Sequence, residues 1–264
     1  MINNSQIDPV IFDEVKTHLT EIENQHDVII LQAIESGSRA WGFPSPDSDY
    51  DVRFIYSHPK DWYVQLNDQR DVIELPINDE LDISGWDVRK AFNLANKGNA
   101  VAQEWMISPI VYRQHNCYTQ LSKLISHAFN PVASYHHYRS MAKKAFFDIE
   151  NSNKKKLKRF FYFARATLSA KWILEKKTIP SIVFSDLVCG LISDQEIVAT
   201  INALVKQKEQ ESERSSLEVP SMVYREFVNI YGTLEESVKI EPVEPSIITN
   251  DDFRTFLLGL DKQI

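Results

Sequence analysis

The residues best suited to chemistry lie in one stretch, 35–53, which reads ESGSRAWGFPSPDSDYDVR. Gly37 and Ser38 follow VIILQAI at 28–34, a short apolar, β-branched run that reads as a buried strand. Small residues at the end of such a strand let backbone N–H groups approach a phosphate closely, and the serine hydroxyl adds a donor. Asp49 and Asp51 flank Tyr50 at the start of a second strand, DVRFIY. On an extended chain, side chains two apart share a side, so both carboxylates are expected to point the same way. Two convergent carboxylates beside a phosphate cradle make a hard-oxygen site for Mg²⁺ or Mn²⁺ bridging to substrate phosphates. Each piece alone is ordinary, since Gly-Ser pairs and Asp residues are common in turns. The ordered combination carries the meaning.

These residues need elements to position them. Residues 10–26 place Ile11, Val15, Leu19 and Ile22 at helical intervals, which predicts an amphipathic first helix. Pro44, Ser45 and Pro46 bend the chain into the 51–56 strand, and 71–77 and 80–83 read as two more short strands. A helix is expected from Asp87 to about Lys97, stopped by Gly98-Asn99. Beyond residue 115 the strand signals thin out. The clearest helix covers 154–176, with Leu157, Phe161, Ala164, Leu168 and Trp172 as its apolar stripe, Lys158 and Arg165 along the edge, and Pro180 beyond its end. Weaker helical patterns cover 117–128, 131–149, 194–209 and 221–240. An extended EPVEP segment at 241–245 leads to a short helix ending near Leu260.

Gly37-Ser38 followed by Asp49-Tyr50-Asp51 resembles the signature of the DNA polymerase β-like nucleotidyltransferase superfamily. The segments GSRAWGF, SPDSDYDVRFIY, SGWDVRK and EWMISPIVY, in that order, are similar to a bacterial and phage family of nucleotidyltransferases associated by context with RNA repair, the RlaP type. The likeness runs from about Glu35 to Tyr112. It implies an α+β fold: a polymerase β-like catalytic domain at 1–115, with a short mixed sheet and flanking helices, then a mostly helical domain at 116–264 that could bind the acceptor. It also implies an enzyme of the nucleotidyltransferase class (EC 2.7.7), moving a nucleoside monophosphate from an NTP such as ATP to an acceptor hydroxyl and releasing pyrophosphate, with two divalent cations. An RNA end is the expected acceptor. A protein or small-molecule acceptor, or a non-catalytic nucleotide-binding module, are the alternatives.

In the superfamily a third carboxylate sits on a later strand between apolar residues. Asp82, between Leu81 and Ile83, fits and ranks ahead of Asp87, whose plainer reading is the N-cap of the 87–97 helix. On this pattern Asp49, Asp51 and Asp82 are the catalytic and metal-holding residues. Gly37 and Ser38 hold the β- and γ-phosphates. Arg39 neutralises the triphosphate, or else makes a surface ion pair. Asp47, within Ser-Pro-Asp-Ser, reads as a turn residue. Arg89 and Lys90 read as a solvated helix face more readily than as phosphate contacts. Trp41, Trp86 and Trp105 are either base-stacking or packing residues, with Trp41 the best placed to stack. Adjacent His136 and His137 would face different sides of a helix and do not suggest a shared metal.

Composition sets outer bounds. A hydrophobic share of 43% and a charged share of 25% exclude a disordered chain or a disulfide-stapled scaffold. Cys117 and Cys189 show no metal-ligand spacing. No secretory signal or apolar run of membrane-spanning length is visible, so the expectation is a reduced, cytoplasmic protein with no membrane partner. Sequence gives nothing on oligomeric state. The net charge of −8 argues against a general nucleic-acid coat protein. Against that background, residues 141–172 carry nine Lys or Arg and two acids. Lys154, Lys155, Lys156, Lys158, Arg159 and Arg165 alternate with aromatics and could line a groove for acceptor RNA, or form a solvated helix face over a core.

Overall fold

Strand β1 (Ile29–Glu35) is almost wholly buried and lies inside a five-stranded sheet. The computed structural model describes residues 7–77, 80–151, 157–211, 218–235 and 246–260. In chain order the elements that build the sheet region are α1 (Pro9–His26), β1, α2 (Gly37–Trp41), β2 (Tyr50–Ser57), β3 (Val72–Glu74), β4 (Leu81–Asp87), α3 (Val88–Asn96), α4 (Ala100–Met106), β5 (Val111–Gln114) and α5 (Tyr118–His127). The sheet order is β3-β4-β2-β1-β5. β1 is antiparallel to both neighbours, β3 is antiparallel to β4, and β2 runs parallel to β4.

The apolar run of β1 follows from burial on both faces. On one face Ile30 and Ala33 join Val15, Leu19 and Ile22 of α1, together with Val52, Phe54 and Tyr56 of β2. On the other, Leu31 and Ile34 join Ile55, Phe92 and Trp105. A register shift between Ile30 and Gln32 accounts for Ile30 and Ala33, three residues apart, sharing one layer. The first helix forms as its spacing predicts. Asp8 caps it by accepting from the Val10 N–H at 2.8 Å, Pro9 occupies its first turn, and Asp27 ends it in a left-handed conformation.

Contacts divide the chain into two units that are discontinuous in sequence, where a single boundary near residue 115 was expected. The first comprises Met1–Ala40, Asp49–Phe129 and Pro245–Ile264; the second comprises Trp41–Ser48 and Asn130–Glu244. The first unit keeps α5 and the C-terminal helix (Asn250–Leu260) because Leu121, Ile125, Phe256 and Leu260 complete its second core layer.

The second unit is helical: α6 (Pro131–Glu150), α7 (Leu157–Lys176), α8 (Phe184–Leu191), α9 (Gln195–Gln210) and α10 (Ser221–Glu235). The segment Trp41–Ser48 belongs here because Phe43 is fully buried, stacked on Phe161 at 4.9 Å and edge-on to Phe184 at 5.6 Å. Lys208 of α9 is buried beside it and donates to the Phe43 carbonyl at 2.8 Å. α7 buries more than one stripe. Leu157, Phe161, Ala164 and Leu168 are buried as expected, and Phe160, Phe163 and Ile173 join them, whereas Trp172 is only half-buried. Arg165, expected along the edge, is 2% exposed and lies over the Trp41 ring at 4.3 Å. Lys154, Lys155 and Lys156, the last residues of the 221–240 pattern and the 241–245 segment lie outside the described residues.

Among the described residues no helix is long and apolar enough to cross a membrane. Both cysteines are free, Cys117 buried and Cys189 exposed.

Candidate active site

The parallel pairing of β2 with β4 puts Asp51 directly opposite Asp82. Arg53, two residues along β2 and therefore on the same face as Asp51, reaches both. Its Nη2 donates to Asp51 Oδ1 at 3.1 Å and to Asp82 Oδ2 at 2.7 Å, and its Nη1 donates to the Val52 and Asp82 carbonyls at 3.0 and 2.7 Å. One guanidinium thus spans two carboxylates and fixes the spacing of two strands.

Gly37 lies against the same carboxylate. Its φ is +59°, and a Cβ built on it would stand 1.9 Å from Asp51 Oδ2, so the absence of a side chain is what admits Asp51. The turn is pinned to β2 by the Ser36 N–H, which donates to the Asp51 carbonyl at 2.8 Å. Ser38 and Arg39 follow in α2, both buried. Arg39, considered from sequence as a surface residue, is only 8% exposed. Its guanidinium stacks on Tyr50 at 3.7 Å, and its Nε donates to the Asp49 carbonyl at 3.3 Å. Asp49 immediately precedes β2 and is exposed.

Sequence reasoning passed over Glu35, the last residue of β1, and Arg53. The Glu35 carboxylate is buried and fully engaged. Oε1 accepts the Asp51 N–H at 3.0 Å and Oε2 accepts the Tyr112 hydroxyl at 2.7 Å. Its carbonyl accepts from Ser108 Oγ, and its N–H donates to the Ile110 carbonyl. Burial pushes the Glu35 pKa up to about 7, against the pull of the Tyr112 hydroxyl and the Asp51 N–H. The sole hint in the sequence is an acid closing an otherwise apolar strand.

The two candidates for the third carboxylate separate cleanly. Asp82 faces Asp51, whereas Asp87 ends β4 opposite Tyr56, roughly 16 Å further along at about 3.3 Å per residue. Asp87 is fully buried, caps α3 by accepting the Arg89 N–H at 2.8 Å, and accepts the Tyr63 hydroxyl at 2.8 Å. Burial raises its pKa to about 6. Between pH 4 and 6 the folded chain therefore holds a proton that the unfolded chain has released, and this group's contribution to stability falls as pH rises through that window. Replacing Asp87 by Asn, which can still cap, should flatten this part of the pH dependence. The expected result is a thermal midpoint that gains on the wild type between pH 4 and 6 and runs parallel to it above pH 7.

The other candidates take structural positions. Lys90 pairs with Asp71 at 2.8 Å, and Arg89 lies over Trp62 and Tyr63. Trp86 and Trp105 stack on each other at 3.8 Å within the second core layer. Trp41 packs against Phe43 and Tyr162. Asp47 is exposed. Among the described residues no three His, Cys, Asp or Glu side chains are grouped to hold a metal ion. The donors that do meet, Asp51 and Asp82, are hard oxygens suited in kind to a divalent cation, and Arg53 is the cation that spans them here.

Residues 11–242 match the RlaP family, described as the RNA repair pathway DNA polymerase beta family. The chain belongs to that family. It is 43% identical over 221 residues to YcgL of Bacillus subtilis (strain 168), titled an uncharacterized protein, covering 83% of this chain and 82% of that one. The crystal structure of a nucleotidyltransferase-like protein from Exiguobacterium sibiricum 255-15 aligns over 95% of this chain and 89% of that chain, at 12% identity and a TM-score of 0.33. That likeness is too loose to bear on fold or function. RlaP membership, with the mixed sheet and flanking helices, places the chain among nucleotidyltransferase-like proteins.

Proposed function

We propose that this RlaP-family chain is a metal-dependent nucleotidyltransferase (EC 2.7.7 class) that moves a nucleoside monophosphate from an NTP to the hydroxyl of an RNA end. The observation that carries the reading is the meeting of Asp51 and Asp82 across β2 and β4, beside a glycine turn that has room for nothing larger. The RNA acceptor is supported by the RNA repair pathway in the family's description.

In this reading the acceptor oxygen attacks the α-phosphorus, the α–β bridging bond breaks and pyrophosphate leaves. Gly37 and Ser38 receive the β- and γ-phosphates, and Arg39 supplies positive charge from its stacked position on Tyr50. Asp49, Asp51 and Asp82 would hold divalent cations, Mg²⁺ or Mn²⁺, whose chemistry is to stabilise the attacking and leaving oxygens of an in-line displacement. Asp82 takes the acceptor proton. Glu35 orients Asp51 by accepting the Asp51 backbone N–H on its carboxylate.

Arg53 then acts as the counter-charge of the acids when no other cation is bound. Arg53→Met removes it from two carboxylates that are each about one-third exposed. The variant should melt lower than the wild type, and Mg²⁺ or Mn²⁺ should raise its melting temperature more than it raises the wild type's. Equal shifts in both proteins would show that cations bind elsewhere.

The function is tested by incubating the full chain with each of the four α-³²P-NTPs, Mg²⁺ or Mn²⁺ and a panel of RNA ends. Label in RNA with stoichiometric pyrophosphate is expected. Label on protein or on a low-mass product would move the acceptor to another class. NTP binding with no transfer to any acceptor would leave a nucleotide-binding module.

A further inference from the structure

Within the second unit, α6 and α7 line an open cavity of about 450 Å³. α6 contributes Met141, Lys144 and Asp148, and α7 contributes Lys158, Arg159 and Tyr162. Three cations against one acid border a floor that is mainly apolar. This is the opposite sign from the chain as a whole, whose net charge is −8.

Tyr162 is the feature that gives the cavity chemical character. Its ring is 38% exposed although it stands on a helix whose neighbouring positions Phe161 and Phe163 are fully buried. It is held edge-on by Trp41 at 5.2 Å and 81°, and Trp41 in turn lies beneath the Arg165 guanidinium. A ring braced in this way offers a flat surface at little entropic cost on binding. Arg159 is braced too, because its Nη1 donates to the Asp148 carbonyl at 3.0 Å. Met141, 37% exposed, adds a soft apolar contact.

We infer that this cavity holds one nucleotide of a single-stranded RNA, its base against Tyr162 and its flanking phosphates on Lys144, Lys158 and Arg159. Base stacking on an aromatic ring within a positive groove is the usual chemistry of sequence-tolerant single-strand binding. The volume lies within the range of small-ligand sites and suits a single nucleotide rather than a duplex. The inference rests on the proposed use of RNA as acceptor, and the experiment below separates the two.

Binding of a fluorescently labelled single-stranded RNA of about twelve nucleotides is measured by anisotropy across a salt series, with the full chain and no NTP. Tyr162→Ala should weaken binding roughly fivefold to a hundredfold with the salt slope unchanged, as expected for a lost stack. Tyr162→Phe, which keeps the ring and reports on folding, should bind as the wild type does. A double Lys144→Ala, Lys158→Ala variant should flatten the slope of log K against log salt by about 1.4, at about 0.7 per phosphate contact. RNA binding unchanged in both Tyr162→Ala and the double variant would overturn the inference, as would preferential binding of an acidic peptide over RNA. If the binding results come out as expected but no nucleotide is ever incorporated, the transfer reading fails and this site stands. Incorporation into RNA with variants that bind like the wild type sinks this site alone.

Discussion

Asp51→Asn should reduce nucleotidyl transfer by on the order of 10³-fold while leaving the fold in place. The substitution removes one negative charge and little else. Asn keeps an oxygen that can accept from Arg53 Nη2 and retains the backbone N–H that donates to Glu35. Because Asp51 is about one-third exposed, its ion pair with Arg53 is partly screened and contributes modestly, about 1 kcal/mol or less. Activity and stability should therefore separate, with incorporation lost and the thermal midpoint within a few degrees of the wild type. If the variant transferred at a rate near that of the wild type, Asp51 would not be part of the catalytic site.

Gly37→Ala should cost nearly as much activity by a different route. At φ +59° an alanine is strained by about 1–2 kcal/mol, and its methyl group would overlap Asp51 Oδ2 and press on Cγ at 2.9 Å. The strand cannot retreat, because the Ser36 N–H and Glu35 Oε1 hold Asp51's own backbone carbonyl and N–H. The carboxylate must therefore rotate away from the turn and from Arg53. Transfer should fall by at least about 10²-fold, since misplacement of a reacting group by 1 Å has effects of that order. The readout is incorporation beside a melting curve: a folded, inactive protein is expected. An active Gly37→Ala variant would show that the close approach of turn and carboxylate is incidental.

The Gly37-Ser38 turn and the strand read over 51–56, observed as Tyr50–Ser57, were legible because both depend on local pattern: a β-branched run, small residues, then alternation. The same holds for α1, read from its apolar spacing, and α6 was visible as a weaker helical pattern over 131–149. Partners made by pairing were harder to see. Nothing near Arg53 in sequence announces that it bridges to Asp82, because that contact needs β2 and β4 to run side by side while β3, which lies between them in the chain, sits at the sheet edge. Tyr112 reaches Glu35 across 77 positions, from a four-residue strand too short to show a period. Arg165 was misplaced because a helix buried on several sides has no single edge for a cation, and the half-buried Trp41 ring supplied it with a partner. The membership of Trp41–Ser48 in the second unit depends on where Phe43 packs, which its local sequence does not reveal.

The central claim, that Asp51 and Asp82 hold a divalent cation beside phosphates cradled by Gly37 and Ser38, is open to a direct measurement. Crystals of the full chain grown with Mn²⁺ and a non-hydrolysable NTP analogue would report the ion by its anomalous scattering. The account predicts a peak about 2 Å from carboxylate oxygens of both Asp51 and Asp82, with Arg53 displaced from between them and the β- and γ-phosphates against Gly37 and Ser38. A Mn²⁺ peak remote from these carboxylates, or a triphosphate lying elsewhere on the chain with Arg53 still spanning the two acids, would contradict it.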